Sequence, residues 1–247
     1  MNFMNFSNKK IMIVGASSGI GRATAILLSQ LGASLVLVAR NFNRLDETRC
    51  LLEQPEKHLV ISYDATKYDG CKALFDQAID DGKKLSGMVY AAGVAKVVPL
   101  RILTYSDYEN IFNVNFYGFL AMTQYYAKRK YNSGGSIVGI SALNAHYPQK
   151  CMTLYSASKA AIETSVRNLA IELAAQQIRI NSIIPGAVDT PMARSAEEGM
   201  FNSIVEKQLL GLQKPEEVAN LIVFLLSERA TAITGRNLFV DGGMLGQ

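Results

Sequence analysis

The stretch from Lys10 to Leu31 constrains the fold of this 247-residue chain more than any other. A short apolar run, Lys10 to Val14, passes at once into Gly15-Ala-Ser-Ser-Gly-Ile-Gly21, and from Arg22 to Leu31 apolar residues recur at helical spacing. Strand, glycine-rich turn and helix in that order set a helix N-terminus beside a strand end, where backbone N–H groups can meet a pyrophosphate. Glycines allow the sharp turn and the close backbone approach that such a ligand needs. The spacing is Gly-x-x-x-Gly-x-Gly, not Gly-x-Gly-x-x-Gly, and a plain tight turn is the alternative for the loop taken alone.

The alternation continues along the chain. Ser34 to Ala39 is a continuous apolar run, as in a parallel strand buried on both faces. The pattern then predicts a helix over Phe42 to Glu53, a strand over His58 to Ser62, a helix over Lys67 to Asp81 and a strand over Leu85 to Ala91. Ser106-Asp-Tyr-Glu109 reads as a capping box opening a long helix to about Tyr131. A strand from Ser136 to Ser141, a helix from Tyr155 to Gln176 and a strand from Arg179 to Ile184 follow. Pro215 starts a further helix, and Asn237 to Val240 is the last strand. These elements predict an α/β fold, a Rossmann-type doubly wound parallel sheet of about seven strands with helices on both faces. No repeat or linker interrupts the pattern, so residues 1–247 are expected to form one domain.

Composition excludes several classes. The net charge is +4, and the only basic cluster, Lys128-Arg129-Lys130, reads as a helix end, so nucleic-acid binding is not expected. If the substrate rides on an acidic carrier protein, the same cluster, with Arg167, would steer it. Cys50, Cys71 and Cys151 are too scattered for a metal site, and their odd number suits a reducing compartment. The first ten residues lack a signal-peptide core, and the longest apolar run, near Val218 to Leu226, is too short for a bilayer. A cytoplasmic protein without metal or membrane partner is expected.

Tyr155 and Lys159 stand one helical turn apart on one face. An ammonium beside a phenol lowers its pKa from about 10, which suits general acid/base work. After the second strand, Val38-Ala39-Arg40-Asn41 offers no carboxylate for an adenosine ribose, and Arg40 is placed for a 2′-phosphate. NADP(H) is therefore the expected cofactor. Asp64 and Gly93 follow strands on the edge where such sheets bind ligands.

In these features the chain resembles the short-chain dehydrogenase/reductase family, and the likeness spans nearly its whole length. The loop containing Gly15, Ser17, Ser18, Gly19, Ile20 and Gly21 resembles the family's cofactor loop. Asp64, with Ala65, matches the aspartate that contacts adenine, and Ala91, Ala92 and Gly93 stand where the family often has Asn-Asn-Ala-Gly. Asn115 matches the helix asparagine that holds a water of the proton relay, and Tyr155 and Lys159 match the catalytic pair. Pro185, Gly186, Val188 and Thr190 match the segment that holds the nicotinamide carboxamide. Ile233-Thr-Gly235 and Val240-Asp-Gly-Gly243 resemble the branch of 3-oxoacyl-carrier-protein reductases. The resemblance implies hydride exchange between nicotinamide and a carbonyl or alcohol, with Tyr155 moving the proton and Lys159 tuning it.

The family's catalytic serine usually lies thirteen residues before the tyrosine, and that count lands on Ala142. Ser141, restored by a one-residue insertion in the following loop, is the candidate; another donor or an impaired enzyme is the alternative. The segment from Ala187 to Gly211, with Met192, Met200, Phe201, Ile204 and Val205, is expected to cover the pocket. A 3-oxoacyl thioester, carried on an acyl carrier protein, is the favoured substrate, with sugars, polyols and steroids open. The long helices, including Phe112, Phe116, Phe119 and Met122, suggest a homo-oligomer, tetramer or dimer, or else packing on the sheet.

Overall fold

The computed structural model describes residues 4–194 and 198–244, with backbone alone for 198–200. Seven strands form one parallel sheet: β1 (Lys10–Val14), β2 (Ser34–Ala39), β3 (Leu59–Ser62), β4 (Leu85–Tyr90), β5 (Asn132–Ile140), β6 (Ile178–Pro185) and β7 (Asn237–Val240). Their order in space is β3-β2-β1-β4-β5-β6-β7. Winding reverses between β1 and β4, the switch point at which sheets of this type bind ligands.

The helices are α1 (Gly19–Gln30), α2 (Phe42–Cys50), α3 (Cys71–Ala78), α4 (Tyr105–Phe112), α5 (Gly118–Tyr126), α6 (Thr153–Leu173), α7 (Pro191–Arg194), α8 (Glu198–Val205) and α9 (Pro215–Leu226). Alternate strand residues feed two cores. Met12, Val14, Val36 and Val38 pack toward α3, α5 and α6. Ile11, Ile13, Leu35 and Leu37 pack toward α1, α2 and α9. Both faces of the central strands are covered, which is why their sequences read as unbroken apolar runs.

The predicted helix from Ser106 to Tyr131 is three pieces. Between α4 and α5, Asn113–Tyr117 forms a π turn, and the Gly118 N–H bonds to the Asn113 carbonyl. Neighbouring elements supply the donors for this turn: the Tyr90 hydroxyl donates to the Val114 carbonyl at 2.5 Å and Tyr68 to that of Asn113 at 3.3 Å. Gly118 is the residue that leaves room for the Tyr90 hydroxyl. Gly118→Ala is therefore expected to destabilise the protein in urea unfolding. Overpacking costs about 1–3 kcal/mol, against roughly 1 kcal/mol gained from helix propensity. A stabilised variant would show that the hydroxyl moves aside freely.

The capping box lies two residues earlier than predicted. Thr104 Oγ1 accepts from the Asp107 N–H at 3.3 Å, and Asp107 Oδ2 accepts from the Thr104 N–H at 3.0 Å. The basic cluster follows α5 and is largely engaged within the chain. Lys130 pairs with Asp76 of α3, and the Lys128 ammonium lies 3.6 Å over the Tyr125 ring. Phe119 and Met122 are fully buried against the sheet, so sheet packing takes them.

Candidate active site

The carboxyl ends of the central strands open into a cavity of about 700 Å³. Gly15 (φ +93°) forms its floor, and a Cβ there would lie 2.5 Å from the Ala92 nitrogen and 2.6 Å from the Ala91 carbonyl carbon. Gly19 (φ +52°) opens α1, with a methyl of Thr190 3.1 Å from where its Cβ would be. Gly21 leaves space for the Gly15 carbonyl. Ser18 holds the N-cap position of α1 without a side-chain capping bond, and the first turn has no acidic residue. This turn lines the cavity through Ser17, Ser18 and Ile20, leaving the helix N-terminus without a side-chain cap beside it. Arg22 braces the loop from behind, donating to the Ser17 carbonyl at 2.7 Å and to Thr48 Oγ1 at 2.9 Å.

At one end, Arg40, Asn41, Arg44, Asp64 and Ala65 line the same cavity. Asn41 Oδ1 accepts from the Arg44 N–H at 3.0 Å and starts α2, which sets Arg44 one turn beyond Arg40. Arg44 escaped the sequence reading, although its spacing of four from Arg40 was the available signal. Burial raises the Asp64 pKa, but hydrogen bonds from Thr66 and the nearby Arg40 outweigh it, so the group is a carboxylate.

Tyr155 and Lys159 lie at the other end, in the first turns of α6, both buried. The Lys159 ammonium donates to the Ile140 carbonyl at 2.8 Å and stands 5.8 Å from the Tyr155 ring centroid. Burial pushes the Tyr155 phenol up to about 12 and the Lys159 ammonium down to about 8. The tyrosine pKa is expected from the spacing to fall beside Lys159, but burial raises it. Desolvation acts on both groups, and the nearest contact of the ammonium is spent on the strand carbonyl.

Asn115 sits in the π turn with no exposed surface. Its amide donates to the Val94 carbonyl and to Ser158 Oγ, both at 2.9 Å, while its oxygen accepts from the Val94 N–H at 2.8 Å. Ser158 in turn donates to the Tyr155 carbonyl at 2.7 Å. The side chain therefore fastens the loop after β4 to the turn that carries Tyr155.

Ser141 is not where the sequence reading needs it. Strand β5 ends at Ile140, and the backbone stays extended through Ala142 (φ −159°, ψ 151°). No extra residue re-aims Ser141, so alternation turns its side chain away. Its hydroxyl is shared between Glu163 Oε1 at 2.5 Å and the Lys159 carbonyl at 3.1 Å. The other oxygen of Glu163 pairs with His146 Nε2 at 2.7 Å. The side chain beside Tyr155 is that of Ala142, which packs with it and with Met152. Ser141 as the substrate-binding serine is thus corrected.

Pro185, Gly186, Val188 and Thr190 line the same cavity, as do Ala91, Ala92 and Gly93. Gln208 holds the first of these segments, its oxygen accepting from the Ala187 N–H at 2.5 Å. No sequence signal marked Gln208. Met192, Phe201 and Ile204 line the cavity as expected, while Val205 does not, and the Met200 side chain lies outside the described residues. Asn144 and Gln149, which the sequence reading passed over, also line it. Among the described residues, no His, Cys, Asp or Glu group is placed to hold a metal, and no helix is long and apolar enough to cross a membrane.

The glycine cradle and the uncapped N-terminus of α1 suit a dinucleotide, and the Tyr155–Lys159 pair shares its cavity. Together they define a dinucleotide-dependent oxidoreductase. A family model described as enoyl-(acyl carrier protein) reductase matches residues 15–245, and the chain belongs to the short-chain dehydrogenase/reductase family. Cis-4-hydroxycyclohexanecarboxylate dehydrogenase of Sinomonas cyclohexanicum is 33% identical over 242 residues, covering 96% of this chain and 97% of the relative. A 3-oxoacyl-[acyl-carrier-protein] reductase of Thermotoga maritima is 32% identical over 248 residues, covering 98% and 100%. Among solved structures, a glucose/ribitol dehydrogenase-type member from Brucella melitensis superposes with a TM-score of 0.92 at 29% identity, over 98% of each chain.

Proposed function

We propose that the protein is an NADP(H)-dependent ketoreductase acting on a neutral, largely apolar ketone or the matching secondary alcohol, 3-oxoacyl thioesters included. The observation that carries this reading is the convergence of buried Tyr155 and Lys159 on the cavity formed by the Gly15 loop. When bound, the nicotinamide supplies or accepts the hydride. The Gly15 loop and the N-terminus of α1 would hold its pyrophosphate, and Lys159 its ribose. With its pKa raised to about 12, Tyr155 holds its proton at neutral pH and donates it to the carbonyl oxygen as the alcohol forms. The side chain of Asn115 is engaged on all sides, so any relay at this residue runs through its main chain. Assembly as a homo-oligomer belongs to the same proposal, with exposed Tyr117, Leu120 and Ile171 outside the core.

The preference for NADP(H) rests on Arg40 and Arg44 at the far end of the cavity. Losing a charged hydrogen bond costs about 1.5–3 kcal/mol, roughly ten- to a hundredfold in affinity. Arg40→Ala should weaken NADPH binding by that factor and leave NADH nearly unchanged, as read by fluorescence titration. Equal losses for both cofactors would make Arg40 structural.

A second reading has one observation in its favour. With Ala142 beside Tyr155 and the Ser141 hydroxyl held by Glu163, the protein would bind NADP(H) as a sensor without turnover. Single-turnover NADPH oxidation across a panel of ketones, thioesters and sugars separates the two. Tight NADPH binding with no oxidation would overturn the ketoreductase.

A further inference from the structure

We propose that the paired carboxamides of Asn144 and Gln149 donate the hydrogen bond to the substrate oxygen that Ala142 cannot give. This rests on the ketoreductase reading above.

Several other polar side chains that line the cavity already have a partner within the protein. The Ser141 hydroxyl goes to Glu163 and the Lys159 carbonyl, Lys96 pairs with Asp107 at 2.5 Å, and Lys159 donates to the Ile140 carbonyl. The Thr190 hydroxyl accepts from the Ala193 N–H beside Gly19, at the cofactor wall. The apolar side chains packed with Tyr155 are Ala142, Met152 and Val97.

Asn144 comes two residues after Ala142, in the short turn Leu143–Ala145, and Gln149 lies on the same loop. Both are half-buried and both line the cavity. Asn144 Nδ2 donates to Gln149 Oε1 at 2.6 Å. A primary amide carries two N–H groups. This one bond leaves an N–H on Asn144 and both on Gln149 with no hydrogen bond to the protein among the described residues. Each amide holds the other's orientation, so the spare donors are set in place before a substrate arrives. Preorganised amide donors of this kind stabilise charge that develops on an oxygen, and removing one costs about 10²–10³ in kcat at well-formed sites. The pair is also neutral, which fits a ketone whose only polar demand is at its oxygen.

The test uses the full chain with NADPH and the best ketone of the panel. Asn144→Ala and Gln149→Ala should each lower kcat about ten- to a hundredfold with little change in KM, while the NADPH Kd stays within twofold of wild type. Asn144→Asp keeps the shape but replaces the N–H donated to Gln149 with an acceptor and puts a negative charge near the developing oxyanion, and should lose more than the alanine variant. Ala142→Ser distinguishes a donor from a structural part of the loop. Its gain in kcat should be at least tenfold larger in the Asn144→Ala background than in wild type, because one donor replaces the other. Wild-type turnover with both alanine variants within twofold in kcat would overturn this proposal and spare the ketoreductase. Equal gains from Ala142→Ser in both backgrounds would also overturn it. A wild type that binds NADPH without turnover overturns both, and activity gained by Ala142→Ser alone would then locate the defect at the missing hydroxyl.

Discussion

Tyr155→Phe is expected to lower kcat by about 10²- to 10⁴-fold, the range for a lost general acid/base, while NADPH binding stays within a few-fold. The change removes one oxygen and keeps the ring, which packs with Ala142 and Met152 and is 9% exposed. The fold should therefore persist, and a thermal midpoint near that of wild type is the control. The direction of reaction also enters. With the phenol raised to about 12 by burial, Tyr155 is a proton donor from about pH 6 to 10, which suits carbonyl reduction. Alcohol oxidation needs the phenolate and should speed up with pH over that interval. A Tyr155→Phe enzyme within tenfold of wild type in single-turnover reduction would move the proton donor elsewhere.

Lys159 is expected to give the second large effect, and it is one of stability. Lys159 is 4% exposed, and burial pushes its ammonium down to about 8 in the folded state, against an ordinary value of 10.5 in the unfolded chain. Below pH 8 both states are protonated, and the folded state bears the full cost of burying the charge. Between 8 and 10.5 the unfolded state binds more protons, so stability rises with pH. At about 1.4 kcal/mol per pKa unit, the total is roughly 3 kcal/mol. Tyr155 acts in the opposite sense. Raised from 10 to about 12, it contributes stability that is fully present below pH 10 and lost as pH climbs toward 12. Lys159→Met should therefore exceed wild type in urea stability at pH 7 by a few kcal/mol, and the gap should close between pH 8 and 10. A difference that does not vary with pH would mean that Lys159 is no more costly to charge than a surface lysine.

Much of this protein was determined locally and could be read from its sequence. Alternation of apolar runs with helical spacing specified a parallel sheet wrapped by helices, because strand and helix periods depend only on near neighbours. The Gly15 loop was legible for the same reason, since positive φ and close backbone approach are demands on single residues, and so was the one-turn spacing of Tyr155 and Lys159. Tertiary structure alone decided the rest. Where the Ser141 hydroxyl points depends on Glu163, twenty-two residues away, and on β5 ending without a bulge. The π turn at Asn115 relies on Tyr90 and Tyr68 from other elements, and the Ala187 wall relies on Gln208. The Tyr155 pKa rises where the spacing predicts a fall because burial, which sums over every element around a site, outweighs the spacing of two residues on one helix. Periodicity and backbone freedom are properties of a stretch of chain, whereas desolvation and side-chain partnership belong to the assembled fold.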